Sequence, residues 1–119
     1  MLQNQNTRKY DLEERTLHYA QRVRDYVNKL QRTTPDIEYA KQLIRASGST
    51  GANYIETNEA LSKKDKLMRL KISKKEAKES RFWLILTTPS DNQISEKNLL
   101  IQEATELMRI FGAIIEKLK

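Results

Sequence analysis

Apolar residues recur at three- and four-residue steps in four stretches of this chain, and no stretch alternates in the two-residue rhythm of a strand. In the first stretch, from about Leu12 to Leu30, the repeat runs Leu12, Thr16, Tyr19, Ala20, Val23, Val27 and Leu30, which puts one buried face on a helix. Thr34-Pro35 ends it. Proline disfavours helix at the residue before it yet suits the first helical turn, so Thr34 reads as the N-cap of a second helix. That helix runs from about Pro35 to Leu61, with a seam of Ile37, Ala40, Ile44, Ser47, Gly51, Tyr54, Ile55, Asn58 and Leu61.

The middle of this second helix is slim: Ser47, Gly48, Gly51 and Ala52. Two glycines disfavour a helix by about 1–2 kcal/mol relative to alanine, and close approach of a neighbouring helix would compensate. The sharper reading of Gly48-Ser49-Thr50-Gly51 is a phosphate-binding loop, but the lysine and spacing of that motif do not follow. Ser62-Lys63-Lys64-Asp65 has the form of a capping box and opens a third helix, from about Lys63 to Thr87. Thr88-Pro89-Ser90-Asp91-Asn92 is a cluster of turn formers. The fourth helix, about Ser95 to Leu118, carries Leu100, Ala104, Leu107, Met108, Phe111, Ile114, Ile115 and Leu118 in a broad stripe.

Four amphipathic helices joined by short connections predict an all-α fold, an antiparallel up-down-up-down four-helix bundle. It fills a single domain over residues 10–119, after a flexible polar tail over residues 1–9. A chain of 119 residues is long enough to bury one core unaided. The absence of cysteine removes any disulfide framework and fits a reducing compartment. No stretch reaches the roughly 20 apolar residues of a membrane span, so a soluble, cytoplasmic protein is expected.

Charge changes the picture most. Residues 62–82 hold nine of the 22 lysines and arginines and three of the 16 acids, a surplus equal to the whole net charge of +6. On a helical wheel of about 100° per residue, the third helix divides into three stripes. Leu70, Ala77 and Leu84, with Ser73 and Ser80 beside them, form the core stripe. Ile72 and Trp83, flanked by Met68 and Leu86, form a second apolar stripe that suggests contact with another copy of the chain. The alternative is one wide core face with Trp83 partly exposed. The third stripe is basic: Lys64, Lys71, Lys75 and Lys78, extended by Lys74 and Arg81. Such a stripe attracts polyanions, of which nucleic acid is the commonest large one. Its plain alternative is a solvated face in which Glu76 and Glu79 pair with lysines one turn away.

The chemistry of an enzyme is missing. Di-metal bundles use Glu-x-x-His pairs, whereas the one histidine, His18, has Arg15 three residues before it, so no metal site is expected. Glu56, Glu59, Glu76 and Glu79 lie on adjacent helices with Arg45 and Arg81 as partners, which reads as a structural ion-pair network rather than acid–base catalysis. Ser47, Ser49 and Thr50 have no histidine base to activate them. Neither a catalytic residue nor a cofactor is expected.

The stretch from Ile44 to Leu84, with its blocks Ser49-Thr50-Gly51-Ala52-Asn53-Tyr54-Ile55-Glu56 and Ser62-Lys63-Lys64-Asp65, resembles a bacterial family. These are the four-helix bundle proteins found as reading frames inside intervening sequences of 23S ribosomal RNA genes. The opening YDLEERTLHYAQRVRDYV and the last helix, with Leu100, Glu103, Ala104 and Leu107, resemble it too. The resemblance implies an up-down bundle without enzymatic activity that assembles with itself, in some members as a ring of five. A related accessory protein of diversity-generating retroelements is a basic pentamer that binds a reverse transcriptase and nucleic acid. By that resemblance Lys64, Lys71, Lys74, Lys75, Lys78 and Arg81 would contact RNA or DNA, and a reverse transcriptase or other protein would be a partner. A scaffold that docks an acidic protein, without nucleic acid, is the alternative.

Overall fold

The computed structural model describes residues 4–119, with side chains from Leu12 onward. The tail expected over residues 1–9 lies outside the residues whose side chains are described. Among the described residues the protein is all-α: α1 (Asn4–Asn28), α2 (Thr34–Glu59), α3 (Lys63–Leu86) and α4 (Ile94–Leu118), with a short 3₁₀ turn at Asp91–Gln93 before α4.

The helix ends follow from local donors and acceptors. The cap of α2 is Thr33, one residue earlier than the expected Thr34; its hydroxyl accepts from the Asp36 amide at 3.3 Å. Proline has no N–H, so Thr34 and Pro35 occupy the first two helical positions and Asp36 carries the amide that a cap can serve. Ser62 caps α3 as expected, accepting from the Asp65 amide at 3.0 Å. At the other end of α3, the Lys97 ammonium donates to the carbonyls of Ile85 (3.1 Å) and Thr87 (2.8 Å), which supplies a cation where a helix leaves its carbonyls unpaired. Asp36, only 2% exposed, accepts from the Thr88 amide at 3.2 Å and so pins the start of α2 to the α3–α4 connection.

The core holds Tyr19, Val23 and Tyr26 from α1, Leu43, Ala46 and Tyr54 from α2, Leu70, Ala77 and Leu84 from α3, and Leu100, Ala104, Leu107, Phe111 and Ile115 from α4. The expected core stripes of α3 and α4 lie inside. In α2 the buried face is rotated from the expected one. Ile44 (42% exposed), Ile55 (48%) and Leu61 (100%) face outward, while Leu43, Ala46, Thr50 and Thr57 point in. The two threonines return their hydroxyls to carbonyls one turn back, Thr50 to Ala46 at 2.9 Å and Thr57 to Asn53 at 3.1 Å. A hydroxyl satisfied this way packs as a small apolar group, which a count of apolar letters does not register. Leu61 belongs to the turn after α2, not to the helix.

Two hydrogen bonds cross the core between α1 and α3. Ser80 and Thr87 donate their own hydroxyls to the carbonyls of Ala77 (2.8 Å) and Leu84 (2.6 Å), so the phenols of Tyr19 and Tyr26 are the donors to them, each at 2.7 Å. The second pair lies seven residues beyond the first in both helices. Beside the tyrosines on α1, Arg15 forks onto Glu103 (2.7 and 2.8 Å) and reaches Glu106 (2.8 Å), while Arg22 grips Glu96 (3.0 and 3.1 Å). Seven residues forward in α1 thus correspond to seven residues back in α4.

Gly51 confirms the close approach expected in α2: a Cβ there would lie 2.9 Å from Thr16 Oγ1 and 3.1 Å from Thr16 Cβ. Gly48 does not share it, because nothing lies within 4 Å of the same atom. The two glycines therefore respond oppositely to alanine. Gly48→Ala should raise the unfolding free energy by about 1 kcal/mol through helix propensity alone, measured by denaturant titration in dilute protein. Gly51→Ala should lower it by about 1–2 kcal/mol, overpacking against Thr16 outweighing the same propensity gain.

The buried phenols generate a second expectation. Burial pushes Tyr19 well above the ordinary phenol value, and raises Tyr26 and Tyr54 for the same reason. An unfolded phenol ionises near 10 while the folded one stays protonated, so this stabilisation is complete below pH 10 and is lost as pH rises above it. Alkaline titration should show the phenolate absorbance of these three residues appearing together with loss of helical circular dichroism. Phenolate formation in a fully helical protein would contradict the assignment.

Candidate nucleic-acid interface

Helix α3 is wedged between α2 and α4, and its neighbours decide what each expected site residue can do. Toward α2, Trp83 is half-buried and stacks on Tyr39 with ring centroids 6.1 Å apart, and Arg69 donates to Asn53 at 3.3 Å. Toward α4, Arg81 donates to Thr105 at 3.1 Å, and the Lys74 ammonium leans over Gly112, 3.5 Å from where its Cβ would be. What remains is the outward face. There Lys64, Lys71, Lys75 and Lys78 are all exposed and share one side of the helix.

The basic stripe is therefore a core of four lysines, with Lys74 at its α4 border, exposed, and Arg81 half-buried beyond it. Among the described residues no base of α3 takes part in an ion pair. Glu76 and Glu79 stand one turn from several lysines without pairing with them, and Glu76 Oε1 is buried with no partner. The neutralised face considered from sequence is not formed. Nor is the network expected of Glu56, Glu59, Glu76 and Glu79 with Arg45 and Arg81. Glu56 and Glu59 point outward from α2, Arg45 donates to Gln42 at 3.0 Å, and Arg81 is turned to α4.

The four residues of the expected second stripe part company. Trp83 is half-buried against the protein's own core and Ile72 is half-buried, whereas Met68 and Leu86 are exposed. Phe82, 55% exposed and edge-on to Trp83 at 5.0 Å, and Ile85 join them outside. The outward face is thus divided along its length: lysines from Lys64 to Lys78, then the apolar group Phe82, Ile85 and Leu86. Near its N-terminal end, Lys63, Lys64 and Lys71 rim an open groove of about 820 Å³ that Leu67 and Met68 floor.

Sequence reasoning missed the ionic clamp of α1 on α4. Its signal was present as two arginines seven residues apart, Arg15 and Arg22, and acids at matching intervals, Glu96, Glu103 and Glu106. Hydrogen bonding to Glu103 holds the Arg15 guanidinium in its charged form, and bonds from Gln102 and Arg15 keep the Glu106 carboxyl below its ordinary value. His18 is exposed beside this clamp, on a cavity of about 320 Å³ that also takes in Glu14 and Tyr19. No cluster of three or more metal-ligating side chains occurs among the described residues. Among them, too, no helix is long and apolar enough to cross a membrane.

Comparison with known proteins places this arrangement. A crystal structure of a protein of unknown function from the S23 ribosomal protein family of Bacteroides thetaiotaomicron is similar to the chain over 91% of its length and 97% of that protein's. The two share 26% identity and superpose with a TM-score of 0.79. No curated protein matches the chain. The sequence profile described as 23S rRNA-intervening sequence protein matches residues 8–113, so the chain belongs to that family.

Proposed function

We propose that this member of the family is a non-enzymatic, homo-oligomeric helical module that holds RNA or DNA by its phosphate backbone on the outward face of α3. The observation that carries the reading is the unneutralised stripe: Lys64, Lys71, Lys75 and Lys78 exposed on one side, with no ion pair to any described acid. Four like charges on one helix face repel one another, and a polyanion relieves that repulsion while releasing its own condensed counterions. An α-helix advances about 6 Å in four residues, so Lys71 and Lys75 present ammonium groups in step along an extended anionic chain. Contacts of this kind position a nucleic acid without reading its bases.

The scaffold for the stripe is an antiparallel up-down-up-down bundle. Matching heptads of Tyr19 with Ser80 and Tyr26 with Thr87 support a common direction for α1 and α3, and the reversed order of Arg15 with Glu103 and Arg22 with Glu96 supports opposite directions for α1 and α4. Self-association is supported by the apolar end of α3, where Phe82, Ile85 and Leu86 are exposed together beyond the lysines.

A second reading has its own observation. The groove beside Lys63, Lys64 and Lys71 has an apolar floor of Leu67 and Met68, which suits an acidic peptide carrying one bulky apolar residue. Capture from cells before and after nuclease treatment separates the two: a partner lost with nuclease supports nucleic acid, and one retained supports the acidic protein.

Fluorescence anisotropy of a labelled structured RNA, titrated at low and moderate salt, tests the first reading. Binding should weaken steeply with salt. The triple variant K71E/K75E/K78E should bind far more weakly, and its dependence of log affinity on log salt should be shallower by about three. Equal binding by a folded triple variant would refute the assignment to α3.

A further inference from the structure

The exposed side of α3 carries one aromatic residue, Phe82. On a wheel of about 100° per residue it points within about 40° of all four lysines of the stripe, and it closes their row: Lys64, Lys71, Lys75, Lys78, Phe82. Lys78 stands one turn before the ring and Lys75 two turns, about 6 and 10 Å along the helix axis. Glu79, the acid nearest in sequence, is half-buried and turned about 60° from Phe82 toward the side of Trp83. With Lys75 and Lys78 both exposed, the charge beside the ring is net positive.

The ring is braced from one side. Phe82 and Trp83 meet edge to face, with centroids 5.0 Å apart and planes at 74°. Trp83 in turn is half-buried against the core and stacks on Tyr39 of α2 at 6.1 Å. Rings at 74° do not lie flat on one another, so Trp83 covers at most one face of the phenyl group, which is 55% exposed. A flat surface already held by its neighbours loses little freedom when a second ring lies on it. Ile85 and Leu86, exposed nearby, offer apolar area without a plane. The ligand that matches a row of ammonium groups ending in such a plane carries a row of anions, each with a planar ring attached. Nucleic acid has that form, and base stacking on aromatic side chains tolerates any sequence. A duplex presents the phosphates but keeps the faces of its bases stacked on each other, whereas an unpaired nucleotide presents both.

We infer that Phe82 is a stacking platform for an unpaired base of the RNA or DNA strand whose phosphates lie along Lys71, Lys75 and Lys78. The inference rests on the reading of the lysine row as a phosphate-binding surface and adds to it a preference for unpaired over paired strands. Lysines alone hold any polyanion; the ring is what distinguishes a strand with free bases from an equally charged one without them.

Two labelled strands of equal length and charge test it on the full chain: oligo-deoxythymidine and its abasic counterpart, titrated by fluorescence anisotropy. The parent should bind the strand with bases about tenfold more tightly than the abasic one. Trp83 is the single tryptophan of the chain and touches the ring, so its emission should fall with the first strand and hold with the second. Phe82→Leu keeps the apolar bulk and removes the plane. Shown to be helical by circular dichroism, it should bind both strands alike, at the parent's affinity for the abasic one and with an unchanged dependence on salt. Phe82→Tyr, which restores a ring, should recover the preference. Equal binding of the two strands by the parent, lost in K71E/K75E/K78E, leaves the lysine reading standing and overturns the stacking platform. A preference that survives in Phe82→Leu overturns it as well, as does Trp83 emission unmoved by a saturating strand, the result expected if another copy of the chain covers the ring. No binding of either strand by the parent refutes the lysine reading and the platform together.

Discussion

Two phenol hydroxyls, those of Tyr19 and Tyr26, sit where water does not reach and must find acceptors inside the protein. A buried hydroxyl left unpaired costs about 1–3 kcal/mol, so the acceptors have to be in place when the helices close. Ser80 and Thr87 meet that need, and both are already bound to carbonyls of their own helix. Because the two pairs repeat after seven residues in each helix, a slip of α1 along α3 would leave both phenols unpaired at once. The register of α1 on α3 is thereby held by two pairs of buried hydroxyls, and α2 and α4 pack into the grooves that remain.

From that register the surfaces follow. With α1 fixed, Thr16 comes against Gly51, and the backbone of α2 approaches closely enough that no side chain fits between them. The rotation that puts Gly51 there turns Ile44 and Ile55 outward and brings Leu43, Thr50 and Thr57 in. Arg15 and Arg22 are aligned with the acids of α4 in the same way. Helix α3, pressed between α2 and α4, has only its back left for solvent, and that back carries the lysines. Four of the bases behind the charge surplus, Lys64, Lys71, Lys75 and Lys78, are therefore displayed together on one helix face.

Family membership and the similar Bacteroides structure agree on an all-α fold and name no reaction for it. A fold of this kind does not by itself carry a function, so the functional argument has to come from exposed chemistry. In this protein that chemistry is charge and apolar surface: a lysine stripe that pairs with no acid among the described residues, and an apolar end on the same helix.

The amino-acid sequence alone determined the number of helices, their approximate limits, the N-cap of α3, the core stripes of α3 and α4, the tight approach at Gly51 and the lysine stripe. These depend on spacing within one helix, and a helix of known pitch converts spacing into direction without knowledge of its neighbours. What only the tertiary structure decided was which face of α2 would be buried, that Trp83 would lean on Tyr39, and that Arg81 and Lys74 would turn toward α4. It also decided that Arg15 and Arg22 would clamp Glu96, Glu103 and Glu106 while Glu56 and Glu59 stayed unpaired. Each of those depends on the rotation of one helix against another. That rotation was set by buried hydroxyls and one glycine, residues whose letters carry little hydrophobic signal until their partners are in view.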